Sequence, residues 1–294
     1  LIKLPLEDRV FLEESVFGTN HIDTLKRNII CPPFKEVVNI LNRIFPKEND
    51  FHWEAVFTGY LFYSSKVFSD LYFLLKENEH YTKAIKTEFS NSHITEQLVQ
   101  HICIGYLEDW EKLEDKESLI SQLIENKNIN QLSEIVRFFW MLRNGLSDKI
   151  KSKVKPLWKV LFDLAKQNEE NIEYQQLLSN LTKWLSLIDE IDDEIFEWLR
   201  VSAKYVDKDF NTPFFIEYLL KHAPEAPSKV GKIYLEILSA NVYPVYIQED
   251  IQQIVRLLYE KNEKEIANRI CNLYGSKGHL FLKDIYEKYR DDKS

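Results

Sequence analysis

Apolar residues recur at intervals of three and four along most of this chain, leaving almost nothing from which to build anything but helix. The cleanest run is Tyr174, Leu177, Leu178, Leu181, Trp184, Leu185 and Ile188, a spacing that keeps one helix face apolar. The same stripe returns as Leu132, Ile135, Val136 and Phe139, as Val230, Ile233, Tyr234, Ile237 and Leu238, and as Ile247, Ile251, Ile254, Val255 and Leu258. None of these runs alternates with the period of two that a half-buried strand requires. Only 7 Gly and 9 Pro occur in 294 residues, against 45% hydrophobic and 13% aromatic content, so little remains for long loops or a glycine-rich catalytic turn. An all-α fold is expected.

Helix punctuation supports that reading. Thr212-Pro213, Ala226-Pro227, Ser147-Asp148 and Asp50 each precede an apolar stripe, where a side-chain oxygen satisfies free N–H groups or Pro suits the first turn. Gly145 and Gly275 stand where a left-handed residue closes a helix, and Pro46 stops the one before it. Helices are expected near 6–17, 21–30, 34–45, 51–64, 66–77, 80–89, 94–112, 117–126, 129–144, 148–167, 171–188, 192–206, 213–222, 227–240, 247–262, 264–274 and 279–290. Alternate helices start near 129, 171, 213 and 247, a period in the range of stacked helical hairpins. A hairpin with apolar surface on both sides satisfies it only by stacking on its neighbours, so the expected architecture is stacked antiparallel helical hairpins, a HEAT/TPR-like α-solenoid. The small-residue and aromatic consensus of true tetratricopeptide units is absent. Residues 1–90 are less regular and richer in aromatics, an N-terminal unit or cap, and 91–294 form the hairpin array, with no Gly/Ser-rich or Pro-rich linker between them.

A formal charge of −9 and a pI near 5.4 argue against a general nucleic-acid or anionic-membrane binder, because both need a positive field. Cys31, Cys103 and Cys271 are isolated, odd in number and without CxxC spacing, which fits buried structural thiols in a reducing, cytoplasmic setting. No charge-free apolar run reaches the roughly 20 residues of a spanning helix. The chain opens with Leu1 and not Met, consistent with a piece of a longer protein.

Three clusters are candidates for a functional surface. Phe51, Trp53, Phe57, Tyr60, Phe62, Tyr63, Phe68, Tyr72 and Phe73 point in too many directions for one narrow stripe. They serve either as inter-helix core or as a partner-binding groove, with Trp53, Tyr60 and Tyr63 as anchors. Lys149, Lys151, Lys153, Lys155 and Lys159 form the one dense basic run, at the start of a helix that Pro156 is expected to bend or restart. It is either a solvated helix surface or a contact for phosphate or an acidic partner. Asp189, Glu190, Asp192, Asp193 and Glu194 lie at a helix start, where carboxylates stabilise the positive end of the dipole, and lack the Gly and spacing of an EF-hand. His21, His52, His80, His93, His101, His222 and His279 are scattered without metal-ligand register, and GxSxG, P-loop and GxGxxG motifs are absent. No enzyme activity, metal or cofactor is expected.

The array of Trp and Leu ridges resembles HEAT-like α-solenoids. The closing stretch Asp250-Ile-Gln-Gln-Ile-Val-Arg-Leu-Leu-Tyr259, Ile266-Ala-Asn-Arg-Ile-Cys-Asn-Leu-Tyr-Gly275 and Gly278-His-Leu-Phe-Leu282 looks like the C-terminal helical region of bacterial STAND-type NTPases and related antiphage defence proteins. That resemblance covers about the last third. It implies a sensor that grips a foreign protein, with an NTPase and effector upstream, and carries no catalytic residue onto this chain. The expected function is therefore protein recognition, with a scaffold or oligomerisation module as the near alternative. Certain HEAT-like solenoids also excise alkylated bases from DNA. A reading of that kind would recruit Trp140, Trp158 and the lysine run, against the net charge. The oligomeric state is left open.

Overall fold

The computed structural model describes residues 72, 76, 80–89, 92–142, 147–188, 191–206 and 212–290. Among them stand twelve α-helices and no strand. We number these helices α1 His80–Lys86, α2 Ser92–Leu107, α3 Leu119–Glu125, α4 Ile129–Met141, α5 Asp148–Gln167, α6 Ile172–Leu181, α7 Asp193–Ser202, α8 Thr212–His222, α9 Pro227–Ser239, α10 Gln248–Glu260, α11 Lys264–Ser276 and α12 Lys283–Arg290. Tighter 3-10 turns extend α6 over Thr182–Leu187 and α7 over Ala203–Tyr205. The chain divides into two compact units, Leu1–Asn126 and Lys127–Ser294, so the boundary expected near residue 90 falls within the first.

In the first unit, α1, α2 and α3 each pack on the other two. Tyr72 is buried with its ring centroid 5.5 Å from Tyr81 and 5.1 Å from Trp110. Tyr81 meets Nδ1 of buried His101 at 3.0 Å, and Asn126 donates to the Ile85 carbonyl across 2.8 Å.

In the second unit, contacts run to the next helix and to the next but one. α4 packs on α6, α7 on α9, α8 on α10, α9 on α11 and α10 on α12, while α5–α6, α6–α7, α8–α9, α9–α10, α10–α11 and α11–α12 are sequential contacts. Side-chain pairs give direction to some of these. Lys229 at the start of α9 reaches Asp193 at the start of α7 at 2.9 Å, and Arg200 near the end of α7 reaches Glu236 near the end of α9 at 3.0 Å. α7 and α9 therefore run the same way. So do α10 and α12, since Gln252 donates to the Phe281 carbonyl at one end and Tyr259 stacks on Tyr289 with centroids 4.6 Å apart at the other.

The apolar stripes of the sequence are the faces that meet. Trp184 packs 5.1 Å from Phe139 of α4 and 6.1 Å from Trp158 of α5, and Trp158 lies 5.9 Å from Trp198 of α7. All four rings are buried, so one aromatic seam joins three helices and a turn. The Trp184 indole N–H donates to the Val136 carbonyl at 2.7 Å, whereas that of Trp158 has no hydrogen-bond partner. Further along, a Cβ on Gly231 would lie 2.5 Å from Cγ2 of Ile266 and 3.0 Å from a Leu258 methyl, so α9 approaches α10 and α11 at a point where only hydrogen fits.

Helix ends explain how a glycine-poor chain turns so often. Ser118, Asn128, Asn171 and Asp192 each accept a backbone N–H in the first turn that follows them. At the other end, Asp109, Asn241, Asn262 and Gly278 adopt positive φ. After α10, Asn262 N–H donates to Tyr259 O at 3.0 Å and Glu263 N–H to Leu258 O at 2.8 Å, the paired bonds of a Schellman cap. Asp109, Asn241 and Gly278 make the same pair. Gly275, expected to close its helix, instead lies inside α11, and Gly278 is the left-handed residue. Helix α5 continues unbroken through Pro156, which is exposed, so the expected restart does not occur. The helix expected to reach 112 stops at Leu107, ahead of left-handed Asp109.

Two outcomes follow. Replacing Asn262 by Gly relieves the strain of a side chain at positive φ and should raise stability by about 0.5–1 kcal/mol, read as a higher urea midpoint at unchanged slope. Trp184→Phe should cost about 1 kcal/mol more than Trp158→Phe, because only Trp184 loses a buried hydrogen bond. Equal losses in chemical denaturation would contradict that assignment.

Candidate binding surface

The lysine run lies along α5, and Pro156 keeps its place in the helix. Lys155 Nζ is 2.5 Å from the Asp192 carboxylate and 3.7 Å from that of Glu194, and Lys159 pairs with Glu194. Lys151 and Lys153 are half-buried and also engaged by neighbours. Lys149 lies in the first turn of α5. The basic run and the acidic block, separate features in the sequence, thus meet across α5 and α7. Of the lysines expected to contact an acidic partner, Lys155 is therefore spent within the fold. Its pKa is raised chiefly by its bond to Asp192, which is how an intramolecular partner stabilises the ammonium form.

Asp192 also caps α7, accepting the Ile195 N–H at 2.8 Å. Burial pushes its carboxyl up, yet that N–H and the Lys155 ammonium together hold it below the ordinary carboxylate range. For Asp192, Asp193 and Glu194 the expected helix-dipole role agrees with this geometry, while Asp189 and Glu190 lie outside the described residues. Asp193 turns to the other side, toward Lys229, which in addition donates to the Ile191 carbonyl at 3.1 Å.

Trp53, Tyr60 and Tyr63 lie outside the described residues. Of their aromatic cluster, Tyr72 is described, and it is core. Trp158, recruited above to a base-excision reading, is sealed inside the aromatic seam and offers no wall to a nucleic acid. Trp140 is half-buried, its ring 6.3 Å from Phe214 in an edge-on arrangement.

Large apolar side chains do reach solvent elsewhere. Met141 at the end of α4 is 56% exposed and Phe214 near the start of α8 is 43% exposed, and the Trp140–Phe214 contact brings these two ends together. A second patch lies where the α9–α10 and α11–α12 loops meet. Tyr246 is 57% and Leu280 67% exposed, beside Tyr243, His279 and Phe281, with Lys277 5.5 Å above the Tyr243 ring. Phe214 stands off the stripe formed by Phe215, Ile216 and Leu219, a signal readable in sequence. Tyr246 and Leu280 lie in turns, where no periodicity marks which side chain faces out.

Glu111, on the loop between α2 and α3, is buried, with Lys76 Nζ at 2.7 Å and the Leu119 N–H and Ser118 as further partners. Burial pushes its carboxyl up to about 7, against the opposing pull of the Leu119 and Ile120 N–H groups and Ser118. Tyr234 and Tyr274 share a hydroxyl contact of 2.5 Å, and burial drives both phenols above their ordinary range. Cys103 and Cys271 are buried thiols, and burial raises that of Cys271 to about 11, which keeps it in the neutral form at neutral pH. Among the described residues, no group of three or more His, Cys, Asp or Glu could hold a metal ion, and no helix is long and apolar enough to cross a membrane.

No family model matches the chain, and neither a curated protein nor a solved structure is found similar to it.

Removing the Asp192 side chain should cost about 1 kcal/mol, mainly through the lost cap, whereas a Lys155–Asp192 double-mutant cycle should give a coupling below about 1 kcal/mol that shrinks with added salt. A coupling insensitive to salt would mean the pair is not a surface ion pair. Glu111 sets a pH dependence of the opposite kind. Between its ordinary value of 4.5 and about 7, the folded chain holds a proton that the unfolded chain releases. Its contribution to stability is therefore full below the lower value and falls as the pH rises through the upper one. Urea unfolding at pH 5 and pH 8 should show a smaller difference for Glu111→Gln than for the parent chain.

Proposed function

We propose that this chain is a protein-recognition module built as a stack of helical hairpins, an α-solenoid of the HEAT-like kind. The observation that carries the reading is a stride that recurs from α5 to α11, while the same two-helix step is longer from α4 to α6, 48 residues for Trp184 with Val136, and shorter from α10 to the turn before α12, 29 for Gln252 with Phe281. Groups that meet across helices recur at nearly equal sequence separation: Lys155 with Asp192 at 37 residues, Lys159 with Glu194 at 35, Glu169 with Tyr205 at 36, Arg200 with Glu236 at 36, Lys229 with the Ile191 carbonyl at 38 and Tyr234 with Tyr274 at 40. These pairs step from α5 to α7, from α7 to α9 and from α9 to α11. A stride of two helices, with packing to the next helix and the next but one, is what stacking of hairpin repeats produces.

Such a stack offers side chains on its outer surface that can vary without disturbing the core, and this chain places apolar anchors there. Met141 and Phe214 form one patch, and Tyr246 and Leu280 another. Exposed aromatic and aliphatic residues gathered in patches, in a chain that carries net charge −9, fit a protein ligand better than a polyanion. The resemblance of the last third to the sensor region of STAND-type NTPases supports the same class of function. In that case the chain would be the part that grips a foreign or signalling protein.

Self-association is the second reading, favoured by the same patches, since an exposed apolar surface fits a copy of itself as well as a partner. Light scattering over a range of concentrations separates the two, because a scaffold gains mass with concentration and a sensor does not.

The recognition reading is tested by capture against a library of candidate partners, followed by titration. Saturable binding to a protein is expected, and Phe214→Ala or Tyr246→Ala should weaken it about tenfold or more while leaving the melting temperature nearly unchanged, as exposed anchors do. Failure of capture across conditions, or measurable DNA affinity at physiological salt in its place, would overturn the reading.

A further inference from the structure

We draw no further inference here: the strongest candidate, the patch of exposed Tyr246 and Leu280 beside Tyr243, His279 and Phe281 on the α9–α10 and α11–α12 loops, belongs to the surface already described, and nothing in the structure shows what covers it.

Discussion

Burial of each helix by its neighbours, one and two places along the chain, is the constraint on which the second unit depends. A single amphipathic helix of ten to twenty residues is marginal in water, and most of its stability comes from covering its apolar face. Here the face of α6 is covered by α4, α5 and α7, and that of α9 by α7, α8, α10 and α11. The seam of Phe139, Trp184, Trp158 and Trp198 shows the mechanism at atomic scale: large rings from successive elements interlock, and each is sealed by the next. Removing α5 would uncover the rings of Trp184 and Trp198 on either side of Trp158. The same packing pushes the buried phenols of Tyr234 and Tyr274 and the thiol of Cys271 toward their neutral forms by loss of solvent.

Electrostatics then act at the margins of this packing. Lys155, Lys159 and Lys229 reach carboxylates at the start of α7, where the free N–H groups of the helix already favour negative charge. Asp192 illustrates how one side chain links two levels of structure, capping α7 locally and binding α5 at long range. Such pairs are partly solvated, so they orient the helices more than they stabilise them. They also change what the basic run is available for. Lys155 and Lys159, part of a positive stripe in the sequence, become a neutralised contact in the fold, and apolar side chains such as Phe214 and Leu280 remain exposed.

Much of this was legible from residue spacing alone. Helix α5 begins and ends where the lysine-bearing stripe does, and α9 begins at the Pro227 that its N-terminal preference marks. The period of three and four is imposed by the backbone itself, so it can be read without knowing what the face packs against. Turn chemistry was read less well. Scarce Gly drew attention to Gly275 as a terminator, but Asn and Asp also tolerate the left-handed conformation because their short side chains bond locally, and Asp109, Asn241 and Asn262 take most of that role.

Over the described residues the sequence by itself determined an all-helical fold, where most of its helices start, and which face of each is apolar, because those properties depend on residues within a turn or two of one another. Only the tertiary structure decided that Lys155 would meet Asp192, that Trp158 would be core, and that Tyr246 and Leu280 would be left in water. Those outcomes turn on which residues, 35 to 40 positions apart, arrive beside each other when helices pack. Local periodicity fixes the side of a helix on which a residue stands, and carries no information about what will stand opposite.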